Sequence, residues 1–368
     1  MIRIATIGTS MITVSFLEAL AASGCATFVG TLSRDAARAE EFTHEHGGTQ
    51  PFTSLDDLAA SNDVDAVYIG SPNALHHRQA LACIAGGKHV LVEKPFCSNR
   101  REAEEVFAAA RDAGVVAMEA MRPLHDPAFR ACQDALSELG RIRRATLRFG
   151  KYSSRYDEIL AGRQTNIFDC AMASGSLMDI GVYCVEPLIA LFGEPDSVSA
   201  ASVLLDAETQ TITHGPIDGS GVILARYPHM VATLQYSKIT TDLSPSQIEG
   251  ESGTLTIEGI SCPSRAIVDL RSAPKGDAVG YSSTETDTRE LDLPICNNTM
   301  VYELADFIEA VEAVKAGGDT DDAHPNPESA QAGPYGTVGS FRDITLAALS
   351  VMDEARRQSG IVFPTDAA

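Results

Sequence analysis

The chain has 368 residues, 44% of them hydrophobic, and a formal net charge of −22. That length exceeds what one core ordinarily supports and implies two domains, while the apolar fraction excludes a chain that is disordered throughout. The acid excess excludes nucleic acid and anionic membrane as partners, because no basic surface exists to release counter-ions.

Ile2–Ile7 reads as a short apolar strand, followed by a turn over Gly8–Ile12. No signal-peptide apolar region precedes that strand and no apolar run approaches membrane-spanning length, so a cytoplasmic protein is expected. Thr13–Ser23 has helical spacing through Val14, Phe16, Leu17 and Leu20, and stops at Gly24. A strand over Thr27–Leu32, a helix over Asp35–His46, a strand over Asp65–Gly70, a helix over Ala74–Ala85 and a strand over His89–Val92 follow. Asn99-Arg-Arg-Glu102 has capping-box spacing and opens a helix that ends at Gly114, and Val115–Met118 closes the series. Strands alternating with helices of about a dozen residues mean βαβ units on a parallel sheet, an α/β domain over residues 1–122.

The second domain, 123–368, opens with a helix over Ala128–Leu139. Strand-like runs follow at Arg144–Phe149, Ser197–Leu204, Gly221–Arg226, Met230–Ser237, Gly253–Ile257 and Ala266–Leu270. Turn residues separate them, which predicts a mostly antiparallel sheet. Between the first two runs lie a loop, Lys151–Ser174, and a helix holding Asp179 and Tyr183. Helices over Val301–Lys315 and Phe341–Gln358 flank Gly317–Gly336, which reads as a surface loop. One face of the sheet is expected to pack on helices and the other to stay open and apolar, with Val198, Val222, Leu224, Val231 and Leu234 as candidates. The eight cysteines form no C-x-x-C pair, and no group of His, Cys and carboxylate residues has metal spacing. No metal is expected.

In a parallel α/β sheet, ligands sit beyond the carboxyl ends of the strands. Gly8, Ser33-Arg34, Ser71-Pro72-Asn73 and Glu93-Lys94-Pro95 all fall there. A dinucleotide fingerprint asks for G-x-G-x-x-G. Here Gly8-Thr9-Ser10-Met11-Ile12-Thr13 keeps only the first glycine. An ordinary strand-to-helix turn is the plainer reading of that run, but its place on the first strand of a βαβ series makes it a pyrophosphate site. At the next strand end, NAD sites carry an acid and NADP sites an arginine. Arg34, with Arg38 one turn on, favours NADP, with NAD possible. Asp35 reads as the helix cap. Asn73 and His76 are placed on the nicotinamide side.

Lys94 follows the apolar run Val90-Leu91-Val92, and a cation at the end of a buried strand needs a counter-ion or a chemical role. Tyr183 lies four residues after Asp179 in Gly175-Ser-Leu-Met-Asp-Ile-Gly-Val-Tyr183. A neighbouring ammonium lowers a tyrosine's pKa, so Lys94 and Tyr183 can together move a proton while a cofactor moves a hydride.

Ser71-Pro72-Asn73 with His76, Gly87-Lys-His-Val-Leu-Val-Glu-Lys-Pro95 and Gly175-x-Leu-x-Asp-x-Gly-x-Tyr183 resemble the signatures of the Gfo/Idh/MocA oxidoreductases. Tyrosine at 183, where other branches carry histidine, is most similar to the glucose–fructose oxidoreductase, xylose dehydrogenase and dihydrodiol dehydrogenase branch. The departures are the missing glycines at 10 and 13 and Ala173-Ser174-Gly175 in place of three glycines.

The resemblance implies a Rossmann domain, a carboxy-terminal α/β domain with an open sheet, NADP as coenzyme and a homodimer or homotetramer through that sheet. It implies a nucleotide site over Gly8, Thr9, Ser10, Met11, Ile12, Ser33, Arg34, Arg38, Ser71, Pro72, Asn73, His76, Glu93 and Lys94, with Arg122 reaching the nicotinamide. It implies that Lys94 holds the substrate hydroxyl and lowers the pKa of Tyr183, that Tyr183 carries the proton, and that Asp179 orients the substrate or Lys94. His125, Tyr152, Arg155, Tyr156 and Asn166 are expected to shape the substrate pocket. The expected activity is hydride transfer between nicotinamide and a sugar, polyol or vicinal diol. A redox-assisted glycoside hydrolase and a non-catalytic cofactor-binding sensor are the competing readings. The NADP preference argues against the first and the intact Lys94–Tyr183 pair against the second.

Overall fold

The structure is a computed structural model that describes residues 1–271, 286–323 and 336–367. Apolar strands and helices alternate as the sequence predicts, with one helix, α3, that was not foreseen: β1 (Ile2–Ile7), α1 (Met11–Ser23), β2 (Ala26–Leu32), α2 (Ala36–Glu45), α3 (Leu55–Ala60), β3 (Ala66–Ile69), α4 (His76–Ala85), β4 (His89–Glu93), α5 (Arg100–Ala113) and β5 (Ala117–Ala120). All pairings among these strands are parallel, in the order β2-β1-β3-β4-β5. The order reverses between β1 and β3, and that is where such sheets bind ligands. Asn99 caps α5 by accepting from Glu102 N, and Asp35 caps α2 by accepting from Arg38 N.

The chain after β5 holds α6 (Arg122–His125), α7 (Pro127–Asp134), β6 (Ile142–Gly150), α8 (Ser154–Leu160), α9 (Val182–Phe192), β7 (Ser197–Leu204), α10 (Gln210–Thr213), β8 (Asp218–Arg226), β9 (Val231–Ser237), β10 (Ser246–Gly250), β11 (Gly253–Glu258), β12 (Arg265–Arg271), β13 (Thr286–Glu290), α11 (Met300–Lys315) and α12 (Val338–Ser359). Its eight-stranded sheet runs β13-β12-β11-β10-β6-β9-β8-β7. It is mixed: β6 and β9 pair in parallel and the remaining neighbours are antiparallel.

Several expectations change. The helix foreseen over Ala128–Leu139 is α-helical only to Asp134 and tightens to 3₁₀ from Ala135 to Leu139. The loop over Lys151–Ser174 contains α8. Part of the foreseen loop Gly317–Gly336 lies outside the described residues. The apolar stretch Cys170–Phe192 is long and apolar enough to cross a membrane by length and composition, but 83% of it is buried inside the protein.

One apolar cluster lies on one side of the parallel sheet and takes in Phe16, Leu20, Tyr68 and Leu91 with Leu304, Phe307 and Val311 of α11, so the end of the chain returns to cover the first domain. A second runs from Val67, Val90 and Phe96 through Leu177, Val185 and Leu188 to Leu234, Ile248 and Leu255 of the large sheet. A small satellite cluster of Ile159, Phe168, Leu205 and Ile217 holds the α8 segment beside the cleft. On the large sheet Val222, Leu224 and Val231 face outward and are exposed, as expected. Val198 and Leu234 do not share that face. Strand residues alternate sides, and both pack into the core instead.

Candidate active site

Gly8 ends β1 with φ +106°, and a Cβ there would come within 2.7 Å of the Gly70 carbonyl oxygen. Only glycine fits. A Cβ on Gly70 would in turn lie 2.9 Å from Thr13 Oγ1. The close helix–strand approach that the fingerprint's last glycine normally permits is therefore achieved from the other side, by a bare Gly70 opposite the buried Thr13. Ser10 occupies the N-cap position of α1, yet its side chain makes no capping bond. The first-turn N–H groups of this thirteen-residue helix are thus left to a ligand, which suits a pyrophosphate.

A cleft of about 750 Å³ opens here, within the usual range for small-molecule sites. Ser10, Met11, Ile12, Ser71, Pro72, Asn73, Glu93 and Lys94 line it from the first domain, and Asp179, Tyr183, Arg155 and Asn166 from the second. Glu158, Gln164, Thr165 and Ser174 also line it and were not foreseen from the sequence.

Lys94 and Asp179 form the ion pair at its floor. Lys94 Nζ donates to Asp179 Oδ1 at 2.9 Å and to the Asp179 carbonyl oxygen at 2.8 Å. An ammonium has three N–H donors, so one remains for a substrate oxygen. Asp179 sits on a π-helical turn, Leu177–Gly181, that leads into α9. Such widened turns recur at functional sites. Asp218 fixes the turn's entrance by accepting from Ser176 N and Leu177 N, and Gly175 must be bare because a Cβ there would reach Asp218 Oδ1 at 2.3 Å. Pro187, inside α9, lacks the N–H that would otherwise bond the Tyr183 carbonyl.

The second oxygen of Asp179 accepts from Lys238, just past β9. Sequence reasoning missed Lys238; its only signal was another lysine at a strand end. Burial would raise the Asp179 pKa, but Lys94 and Lys238 outweigh it and hold the carboxyl well below the usual range. Burial would likewise lower the Lys94 pKa, and Asp179, with Tyr183 and Glu93, more than reverses that. Lys94 is thus a firm cation and Asp179 a firm carboxylate.

Tyr183 is 8% exposed, with Lys94 Nζ 5.2 Å from its ring centre and Phe149 against it edge-on. Here the structure corrects an expectation. Burial pushes the Tyr183 phenol up to about 12, and the opposing pull of Lys94 and Arg122 does not overcome it. The net shift is upward, because desolvating the phenolate costs more than the two cations return.

Other foreseen residues lie away from the cleft, or line it while also bonded within the protein. His76 is fully buried, with its ring nitrogens 2.8 Å from the Ser71 carbonyl and 3.1 Å from the Pro95 carbonyl. It ties the two strand-end loops together. Asn73 donates to the Ala173 carbonyl at 2.8 Å, across the domains. Glu93 accepts from Tyr68 Oη at 2.7 Å. Arg122 does not line the cleft, although its charge reaches Tyr183. His125 is paired with Asp306 at 2.7 Å and lies against Phe341, away from the cleft. Tyr152 bonds Asp157 and Tyr156 lies beside Phe168, so neither lines the cleft.

Thr9 adjoins Gly8 in the turn but does not line the cleft either. At the end of β2, Ser33 Oγ accepts from Asp35 N, and Arg38 is turned to Glu41 at 2.9 Å and stacked over Phe42. Arg34 is exposed and has no protein partner among the described residues. Among the described residues no cluster of three His, Cys, Asp or Glu side chains is arranged to hold a metal.

Residues 2–121 match the oxidoreductase family with the NAD-binding Rossmann fold, and residues 129–256 match the GFO/IDH/MocA C-terminal domain. The scyllo-inositol 2-dehydrogenase (NADP(+)) IolU of Bacillus subtilis (strain 168) is 37% identical over 368 residues, covering 100% of both chains. The trans-1,2-dihydrobenzene-1,2-diol dehydrogenase of Sus scrofa is 30% identical over 268 residues, 69% of this chain and 75% of that one. Among solved structures, KijD10, a 3-ketoreductase from Actinomadura kijaniata in complex with NADP and TDP-benzene, superposes with a TM-score of 0.76 at 24% identity, over 97% of this chain and 98% of that one. That likeness shows the fold.

The protein is therefore an oxidoreductase with an NAD-binding Rossmann domain joined to a domain built on an open sheet. It belongs to the Gfo/Idh/MocA family.

Proposed function

We propose that the protein is an NADP-dependent dehydrogenase of a cyclitol, sugar or related vicinal diol, with Tyr183 as the acid–base group and Lys94 as the substrate-holding cation. The observation that carries this is the donor count at Lys94: two N–H groups are committed to Asp179, and the third is free beside a buried tyrosine. The full-length similarity to an NADP-dependent inositol dehydrogenase supports the substrate class. When bound, the nicotinamide supplies or accepts the hydride. Lys94 holds the reacting oxygen, and Tyr183 takes that oxygen's proton in oxidation or returns it in reduction. Asp179 stays ionised between its two lysines and orients Lys94. The cleft wall of Arg155, Glu158, Gln164 and Asn166 is polar, which suits a ligand bearing several hydroxyls. Gly8 and the uncapped first turn of α1 receive the pyrophosphate, and Arg34, without a protein partner among the described residues, receives a 2′-phosphate.

The exposed Val222, Leu224 and Val231, with Val203, make the outer sheet face the surface on which we place a homodimer or tetramer. The test of activity is the reduction of NADP followed at the nicotinamide absorbance with inositols, aldoses and diols. Turnover is expected with at least one class and lost in Tyr183→Phe. Unchanged turnover in that variant would overturn the assignment.

A further inference from the structure

Glu119 and Glu186 lie inside the protein, 4% and 1% exposed. Glu119 stands on β5, paired in register with Val92 on the strand that ends at Lys94. Its Oε1 accepts from Phe96 N at 2.7 Å, two residues beyond Lys94, and its Oε2 accepts from Thr345 Oγ1 of α12 at 2.6 Å. Glu186 lies on α9 three residues after Tyr183, one turn away. Its carboxyl meets that of Glu119, and the two act on each other as a close carboxyl pair, while its Oε2 has no partner among the described residues. The pair thus repeats, one layer beneath the cleft, the meeting of the Lys94 loop with the Tyr183 helix.

Two carboxyl groups share a hydrogen bond only if one of them carries a proton. Glu119 already accepts from an N–H and an O–H, so the donor is Glu186. The charged and titratable neighbours agree. Burial and then the Glu119 charge push the Glu186 carboxyl far up, and Lys94 opposes them only in part. Glu119 is also raised, first by burial and additionally by Glu93. The Cys97 thiol beside Glu119 is raised by burial and by the surrounding acids, so it stays neutral.

We propose that Glu186 keeps its proton and donates it to Glu119, and that this acid–carboxylate pair is the positioning element that holds Lys94 in register with Tyr183. A hydrogen bond to an ionised acceptor inside a low-dielectric core is among the stronger ones available, and it ties two elements from different domains. The proposal rests on Lys94 and Tyr183 being the reacting pair.

The experiment compares the full-length enzyme with Glu186→Gln, whose amide still donates to Glu119, and with Glu186→Met, which does not. Infrared difference spectra of wild type minus each variant, in light and heavy water, are expected to show a buried carboxylic-acid carbonyl band, since the band of the other buried acid, Glu303, cancels. Glu186→Gln should keep kcat within a few-fold of wild type. Glu186→Met should lower kcat by about tenfold or more, with coenzyme affinity retained, because a displacement of about 1 Å at a reacting centre is that costly. Absence of that band from the difference spectrum of wild type and Glu186→Gln overturns the shared proton. Wild-type kcat in a folded Glu186→Met overturns the positioning role. Should Glu186→Met fail to fold, Thr345→Val removes another tether on Glu119: a several-fold fall in kcat with coenzyme affinity unchanged supports that role, and an unchanged kcat overturns it. The infrared result does not depend on turnover, so a failed Tyr183 assignment is seen separately as unchanged turnover in Tyr183→Phe.

Discussion

Tyr183 balances a desolvation cost against two cations, and the cost prevails, with a phenol raised to about 12. If Tyr183 is the acid–base group, as proposed, oxidation uses its phenolate as proton acceptor. Below that pKa the phenolate fraction grows about tenfold per pH unit, so the oxidation rate should climb with pH across the neutral range. Reduction uses the phenol and should lack that limb. In Tyr183→Phe the limb should vanish and kcat should fall by about 10²–10⁴, with coenzyme affinity nearly intact. A flat wild-type oxidation profile would point to another base. At the opposite end of the nucleotide site, Arg34→Ala should weaken NADP by roughly tenfold or more and leave NAD almost unchanged, since a charged contact to phosphate is worth about 1.5–3 kcal/mol. Calorimetric titration reads both, and equal losses for the two coenzymes would remove Arg34 from the 2′-phosphate. Lys238→Met should raise KM or lower kcat without changing coenzyme affinity, because it frees one oxygen of Asp179 to draw Lys94 away from the substrate. Wild-type steady-state kinetics in a correctly folded variant would show that Lys94 alone suffices.

Among the elements, those at the nucleotide site were the most legible. Apolar runs such as Val90-Leu91-Val92 and stops such as Gly24 and Gly114 mark their own boundaries; Lys94 stood out because it adjoins such a run, and Tyr183 because it lies four residues after Asp179. Elsewhere the pattern was too thin. β10 has one apolar side chain, Ile248, and β13 is an edge strand, Thr-Asp-Thr-Arg-Glu, with none. The parallel pairing of β6 with β9 is set by the path of the chain between them, which periodicity does not encode. His76 carried a functional look, but its ring joins the Ser71 carbonyl of its own loop to the Pro95 carbonyl of the loop after β4, and no local pattern announces the second partner. The junction of β3 with α1 is testable by stability. Gly70→Ala forces a Cβ against Thr13 Oγ1 and Tyr68 and should cost about 1–3 kcal/mol. Adding Thr13→Ala should recover part of that loss, and denaturant melts of the single and double variants measure it. Strict additivity would mean that the two sites do not meet.

At the scale of the molecule, the large sheet turns one face to helices and the other outward. The outward face carries Val203, Val222, Leu224 and Val231, from 42% to 57% exposed. On a chain of net charge −22 such a patch is worth covering with its own copy, since scattered acids elsewhere keep copies apart. The wild type is expected to be a dimer or larger by light scattering at micromolar concentration, and Val222→Glu with Leu224→Glu should give a monomer with an unchanged melting profile in the first domain. A monomeric wild type would leave that face without the partner assigned to it.

The exchange at the first turn also bears on ancestry. Contact between α1 and β3 asks that one of two facing positions be bare, and where it is the helix side, the aromatic neighbour at 68 must also give way. Related chains with a side chain at the position of Gly70 should therefore keep glycine at the position of Thr13, and the two should vary together across descent. A fingerprint that reads one partner of a two-sided fit will pass over chains in which the vacancy has changed sides, although their affinity for a dinucleotide need not have changed.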